Sequence, residues 1–388
     1  MSTLKGIRVL DLGTFIAGPH CATILGEFGA EVIKVEPPGS GDSLRRLGTN
    51  TECGDTLVWL SEARNKKCIT LDLRQEMGRA LLKRLAAKCD VVVENFRPGT
   101  IEKWGLGYDE LKKLNPRAIL VRISAYGQDG PMREEPAFAR IAHAFSGLTY
   151  LSGEPGRVPV VPGSTTLADY ISGMNGAIGA LVALRGRERT GEGQYVDVAL
   201  YESVFRVLDE IAPAYQRLGY IRERMGADTV NVCPHSHYQA RDGRWIAIAC
   251  SNDLMFKRLA TAIGRDELAA DSLWPEGATA RGTRHAMKST GLSAHGSNAL
   301  IIRPCLPDAE TRTSRQALFI PSRTFSRTHN IAHAATSAWL TRGSANSPCR
   351  TLSRASPLHR GRSTGWAQQL ARITTKYFGI FFASTRRK

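Results

Sequence analysis

Short apolar runs recur along the first two thirds of the chain, each bounded by glycine, proline or charged residues. IRVLDL (7–12), EVIKVE (31–36), CDVVVENF (89–96), AILVRIS (118–124) and QYVDVAL (194–200) are rich in Val and Ile and have the length of strands. They are nearly continuous in apolar character rather than alternating, which predicts strands buried on both faces in a parallel sheet. Between them, AGPHCATILGEFGA (17–30) and QEMGRALLKRLAAKC (75–89) carry apolar residues at helical spacing. This alternation predicts an α/β fold up to about Leu268. LADYISGMNGAIGA (167–180) reads as a further packed helix starting near Thr165 or Thr166.

After Ala270 the periodicity ends. HAMKSTGLSAHGSNALIIRPC and RTLSRASPLHRGRSTGW are full of Ser, Arg, His and Pro, and frame neither a helix nor a strand. The charge shows the same break: the net charge is +16, but residues 271–388 hold roughly 18 Lys and Arg against 4 Asp and Glu, leaving the rest nearly neutral. One reading is a basic tail that binds nucleic acid, yet aromatics able to stack on bases are few. The other is a reading-frame slip in a GC-rich gene, which produces such a loss of acid and periodicity together. The favoured expectation is the slip, with no nucleic-acid partner.

The 42% hydrophobic content suffices for a sizeable core. MSTLKGIRVLDLG lacks the long apolar core of a secretory signal, and no apolar stretch approaches the roughly 20 residues of a membrane span, so a cytoplasmic protein without a membrane partner is expected. Eight scattered cysteines without a C-x-x-C pair agree with a reducing compartment. Cys233, His235 and His237 of CPHSH lack a second cluster to complete zinc coordination, so no metal is expected.

Common nucleotide and hydrolase motifs are missing. GSGDSLRRLG (39–48) lacks the third glycine of a dinucleotide fingerprint and follows the second strand rather than the first. There is no P-loop and no G-x-S-x-G elbow. What remains is Asp169 in the first turns of a helix, where the dipole would hold a carboxylate ionised. Gly173, Gly176 and Gly179 follow at intervals of three, a surface open to another backbone or a narrow ligand. Ordinary capping and close packing account for both features equally well.

The blocks LKGIRVLDLGTFIAGPHCATILGEFGAEVIKVEPPGSGDSLRR, RNKKCITLDLR, DVVVENFRPGTIEKWGLGYDELKKLNPRAILVRISAYGQDGP and LADYISGMNGAIGALVALRGRERTGEGQYVDVALYE resemble the class III CoA-transferases, which include formyl-CoA transferase and the carnitine CoA-transferases. The resemblance runs from about residue 4 to 269. It implies a large Rossmann-like domain with a parallel sheet (1–205), then a linker and the start of a smaller α+β domain (206–270), in a homodimer of interlocked chains. Residues 271–388 do not match. It also implies an acyl-CoA:carboxylate CoA-transferase in which Asp169 is the nucleophile, passing through an acyl anhydride and an aspartyl-CoA thioester. Coenzyme A thioesters are then substrates, with no permanently bound cofactor. By the same resemblance CoA lies over Phe15 and Ile16, near Leu71 and Arg74, and at Asn95, Phe96 and Lys103, with Tyr126 near the acyl group; Arg74, Arg97 and Lys103, in loops after strands, are cations suited to offset phosphate charge. Ile16 stands where formyl-CoA transferase has Gln, which argues against formyl or oxalyl specificity.

Two alternatives stay open. The superfamily includes α-methylacyl-CoA racemases, which need a His and Asp pair for proton transfer; here Phe138, Ala139 and Arg140 occupy that place and His143 lies three residues on. An inactive homologue with a basic nucleic-acid-binding tail is the other. Within the transferase reading, Arg140 is a candidate partner for the distal carboxylate of a dicarboxyl-CoA such as succinyl-CoA.

Overall fold

In the computed structural model, residues 2–230, 234–239, 245–262 and 264–269 are described, together with the backbone of Gln316–Leu318. Residues 2–152 and 157–224 form one compact unit, and 153–156 with the described residues from 225 onward form a second.

The first unit is built on six parallel strands: β1 (Arg8–Asp11), β2 (Glu31–Glu36), β3 (Lys66–Thr70), β4 (Val91–Glu94), β5 (Ile119–Ser124) and β6 (Tyr195–Ala199), in the order β3-β2-β1-β4-β5-β6. This is the doubly wound order of nucleotide-binding folds, and it confirms the α/β expectation. All five expected strands are present. The sixth, β3, has no apolar run to announce it: KKCIT occupies the sheet edge, four of its five residues are exposed, and the exposed Lys67 protects the open edge at the expense of any apolar signal.

Helices α1 (Ala17–Glu27), α2 (Leu57–Glu62), α3 (Glu76–Ala86), α4 (Thr100–Lys103), α5 (Tyr108–Leu114), α6 (Ala139–Phe145), α7 (Leu148–Leu151), α8 (Leu167–Thr190), α9 (Leu200–Phe205) and α10 (Ile211–Leu218) complete the unit. Val9, Val91, Val93, Val121 and Ile123 point to one face and pack with residues of α1 and α8; Leu10, Val92 and Leu120 point to the other and pack with Leu82 and Leu111 of α3 and α5. Both faces are thus covered, which is why the strands carry apolar residues at consecutive positions.

Helix α8 corrects two expectations. At 24 residues it is long and apolar enough by composition to cross a membrane, although half of its most apolar window is buried inside this unit. Its glycines are not open. A Cβ at Gly173 would meet the Ala17 carbonyl oxygen at 2.8 Å, one at Gly176 the Ile123 side chain at 3.1 Å, and one at Gly179 the Val196 side chain at 2.5 Å. The glycine stripe lets α8 lie against α1 and the sheet, so the backbone neighbour is realised and the narrow ligand is not.

In the second unit β7 (His235–Gln239) and β8 (Trp245–Ala249) pair antiparallel, and β8 pairs with β9 (Gln316–Leu318). Tyr238, Ile246, Ile248 and Cys250 pack with Leu259 of α11 (Asp253–Ala262). The other residues of 271–388, on which the frame-slip and basic-tail expectations rest, lie outside the described residues, as does Cys233.

Candidate functional site

Strands β1 and β4 are neighbours in the sheet although β2 and β3 separate them in the chain. The connection after β1 runs to one side and that after β4 to the other, so their carboxyl ends flank the crevice where open α/β sheets hold ligands. Asn95, after β4, spans this point. Its side-chain oxygen accepts the Thr14 N–H at 2.8 Å and its amide nitrogen donates to the Thr14 carbonyl at 2.9 Å.

The next residue, Phe15, has φ +59, a left-handed conformation that non-glycine residues rarely adopt. Asp42 fixes it, with one carboxylate oxygen accepting the Phe15 N–H at 3.2 Å and the Leu44 N–H at 2.8 Å. The other oxygen meets the Lys34 ammonium at 3.0 Å, and Lys34 also donates to the Gly13 carbonyl. Asp11 lies 3.8 Å from Lys34 and 3.0 Å from Lys66, and accepts the Gly13 N–H at 3.0 Å. Lys34, Asp11 and Asp42 are buried, so a dry lattice of paired charges lies under residues 13–15. The signal for it in the sequence was the lysine inside the apolar run EVIKVE.

The residues expected to hold CoA divide around this crevice. Phe15 is part-exposed with its ring edge-on to Phe138 at 6.4 Å, whereas Ile16 is buried with Leu44, Trp59 and Tyr170. Leu71 is partly buried behind the sheet, and its N–H donates to the Glu36 carbonyl at 3.0 Å. The exposed Arg74 is paired with Asp72 at 2.8 Å. Phe96 packs edge-on to Trp104 at 5.0 Å, and its N–H donates to the buried Glu94 at 2.7 Å. Arg97 and Lys103 are exposed beyond β4. Tyr126 follows β5 and joins Phe145 (5.1 Å) and Tyr201 (5.9 Å) in a three-ring cluster. Arg140 is exposed on α6.

Asp169 lies in the first turn of α8, whose N-cap is Thr166. Its neighbour Tyr170 packs with Ile16, and the His20 ring meets Tyr170 edge-on at 4.9 Å, so the start of α8 is joined to the segment after β1. Burial acts on this carboxyl against the helix dipole. Burial pushes the Asp169 pKa up to about 6, against a smaller opposing effect of a hydrogen bond from Thr166. The group therefore remains mainly ionised at pH 7 while poorly solvated, a condition that favours attack on a carbonyl over retention of water.

His143, three residues beyond the position of the racemase pair, lies in α6. It is buried, and its Nε2 accepts the Ala168 N–H at 2.9 Å, while Nδ1 is buried without a hydrogen-bond partner. With one nitrogen occupied and the other sealed from solvent, it does not have the free, exposed ring that a racemase base requires. Among the described residues no group of three His, Cys, Asp or Glu side chains is placed to hold a metal ion.

The beta subunit of succinyl-CoA–L-malate CoA-transferase from Chloroflexus aurantiacus is 58% identical over 272 residues, covering 70% of this chain and 67% of that protein. Succinyl-CoA–D-citramalate CoA-transferase from the same organism is 48% identical over 268 residues, covering 69% and 66%. The matched stretch spans only 60–67% of the length of the malate enzyme's subunits. The crystal structure of a CAIB/BAIF family protein from Brucella suis superposes with a TM-score of 0.71 at 32% identity, covering 86% of this chain and 88% of that one. A family model described as CoA-transferase family III matches residues 4–294, reaching past the break read near residue 270. The strand order, the crevice and these matches agree, and the chain belongs to CoA-transferase family III.

Proposed function

We propose that the chain is an acyl-CoA:carboxylate CoA-transferase that uses Asp169 as its nucleophile. The observation that carries this reading is the Asp169 carboxyl itself, desolvated enough to titrate near 6, in a helix start packed against the segment that follows β1 at the sheet's crevice. The carboxylate attacks the donor thioester carbonyl, giving a mixed anhydride and CoA thiolate. The thiolate attacks the Asp169 carbonyl of the anhydride, releasing the donor acid and leaving an aspartyl-CoA thioester. The acceptor carboxylate then attacks this thioester, and the returning thiolate takes the new acyl group and frees Asp169. No net proton moves, and the thioester energy is retained while water is excluded.

The relatives' names support succinyl-CoA as donor and a malate-like dicarboxylate as acceptor; in this reading the exposed Arg140 is the cation for a distal carboxylate, which a guanidinium matches in geometry. Phe15, Ile16, Leu71, Arg74, Asn95, Phe96, Arg97, Lys103 and Tyr126 form the CoA side of the site in this reading. Asn95 acts through the Thr14 backbone that it clamps. The working protein is a cytoplasmic homodimer of interlocked chains; the exposed Met174, Ile178 and Val182 on α8 provide apolar surface for a second chain to cover.

Intact-mass measurement after incubation with succinyl-CoA tests the reading. A CoA-sized adduct on the wild-type protein, missing from Asp169→Ala, is expected. A folded wild-type protein that gains no adduct and transfers no CoA would overturn it. In the same assay Arg140→Ala loses the preference for succinyl-CoA over acetyl-CoA; an unchanged preference removes Arg140 from the site.

A further inference from the structure

We infer that His143 is a positioning residue for Asp169, acting as a neutral hydrogen-bond acceptor that anchors the first turn of α8 to α6. The inference takes the role of Asp169 from the proposed function; the anchor itself stands on geometry alone.

The first amides of any helix lack intrahelical acceptors, and a side chain at the N-cap commonly supplies one. Thr166 is the N-cap of α8, and its side chain accepts none of them. The acceptor comes instead from another helix: Nε2 of His143, in the last turn of α6, takes the Ala168 N–H at 2.9 Å. Ala168 is fully buried, so water cannot replace that bond, and the next residue is Asp169.

An imidazole nitrogen that accepts a hydrogen bond carries no proton, so the proton of the neutral ring is on Nδ1. A doubly protonated ring would set one N–H against another. Burial, and then the Arg140 cation, lower the His143 pKa from its ordinary value and keep the ring in the accepting form. The Nδ1–H is left buried and unpartnered, a cost that a leucine in the same space would avoid. Leucine would in turn orphan the buried Ala168 N–H, so the two costs offset and stability alone gives little reason for histidine here. What histidine supplies is a fixed acceptor at the amide beside the nucleophile. Small displacements of a reacting group cost orders of magnitude in rate, so a loose first turn lowers turnover even when CoA thioester binding is intact.

Three variants of the whole chain separate this role from simple packing. His143→Gln places an amide oxygen near the position of Nε2; His143→Asn reaches only the position of Nδ1; His143→Leu fills the space with no acceptor. With succinyl-CoA as donor, Leu and Asn are expected to lower kcat by about tenfold or more while KM for succinyl-CoA stays within about twofold, and Gln to recover most of the lost rate. Hydrogen exchange at the amides of residues 167–172 quickens in Leu and Asn but not in Gln. Equal kcat in Leu and wild type, or Gln no better than Leu, overturns the inference. Should Leu fail to fold, the contrast of Gln with Asn carries the same test. If the wild-type protein gains no adduct and transfers no CoA, the transferase reading fails. The exchange comparison still decides the anchor then, and equal protection in Gln and Asn overturns it.

Discussion

Replacing Gly173 by alanine sets helix propensity against packing, and the structure decides which prevails. In a solvent-exposed helix the change would stabilise by about 0.8–1 kcal/mol. At Gly173 the new methyl carbon would lie 2.8 Å from the Ala17 carbonyl oxygen and 3.0–3.1 Å from the His20 side chain. A backbone oxygen cannot rotate away, and the His20 ring is held by Glu62 at 2.9 Å and by Tyr170. Only a shift of α1 relieves the contact, so the cost falls in the upper half of the 1–3 kcal/mol typical of overpacking, leaving a net loss of about 1–2 kcal/mol. Gly176→Ala is the control. Its contacts are side-chain atoms at 3.1–3.3 Å, among them the free end of Ile123, so a cost of about 1 kcal/mol is offset by propensity. Urea unfolding should show a lower midpoint for Gly173→Ala at unchanged slope and a midpoint near wild type for Gly176→Ala. A Gly173→Ala protein as stable as wild type, or a Gly176→Ala protein less stable than it, would refute the close-packing account of α8.

The Asp169 carboxyl makes stability depend on pH with a definite sign. Its folded-state pKa, about 6, exceeds the ordinary 3.8, so the folded protein binds more protons between these values, and this contribution to stability is lost as pH rises through about 6. Asp169→Asn should therefore gain stability over wild type at pH 8, with the gain shrinking toward pH 4; denaturant midpoints at the two pH values check it, and a constant difference would sink it. Lys34→Met leaves the buried Asp42 carboxylate without its cation and should cost about 3–5 kcal/mol in urea unfolding. A loss below about 1 kcal/mol would mean that the buried lattice under Phe15 contributes little.

The residue pattern by itself determined the layered α/β plan. Strands buried on both faces must be apolar at consecutive positions, so EVIKVE and AILVRIS announced β2 and β5, and helical spacing announced α1 and α3. The quoted blocks also pointed to the family and to Asp169. The exposed edge strand β3 was not legible, because solvent makes no demand for apolar residues there.

What only the tertiary structure decided are the features set by neighbours distant in sequence. The α8 glycines read equally as open surface or close packing until α1 and the sheet were set against them. The helix start was legible from the position of Asp169, but the burial that raises its pKa to about 6 comes from the surrounding chain. His143 meets the amide of Ala168 across 25 positions of sequence. No periodicity records that hydrogen bond, because it depends on the packing of α6 against α8 and on nothing local to either residue.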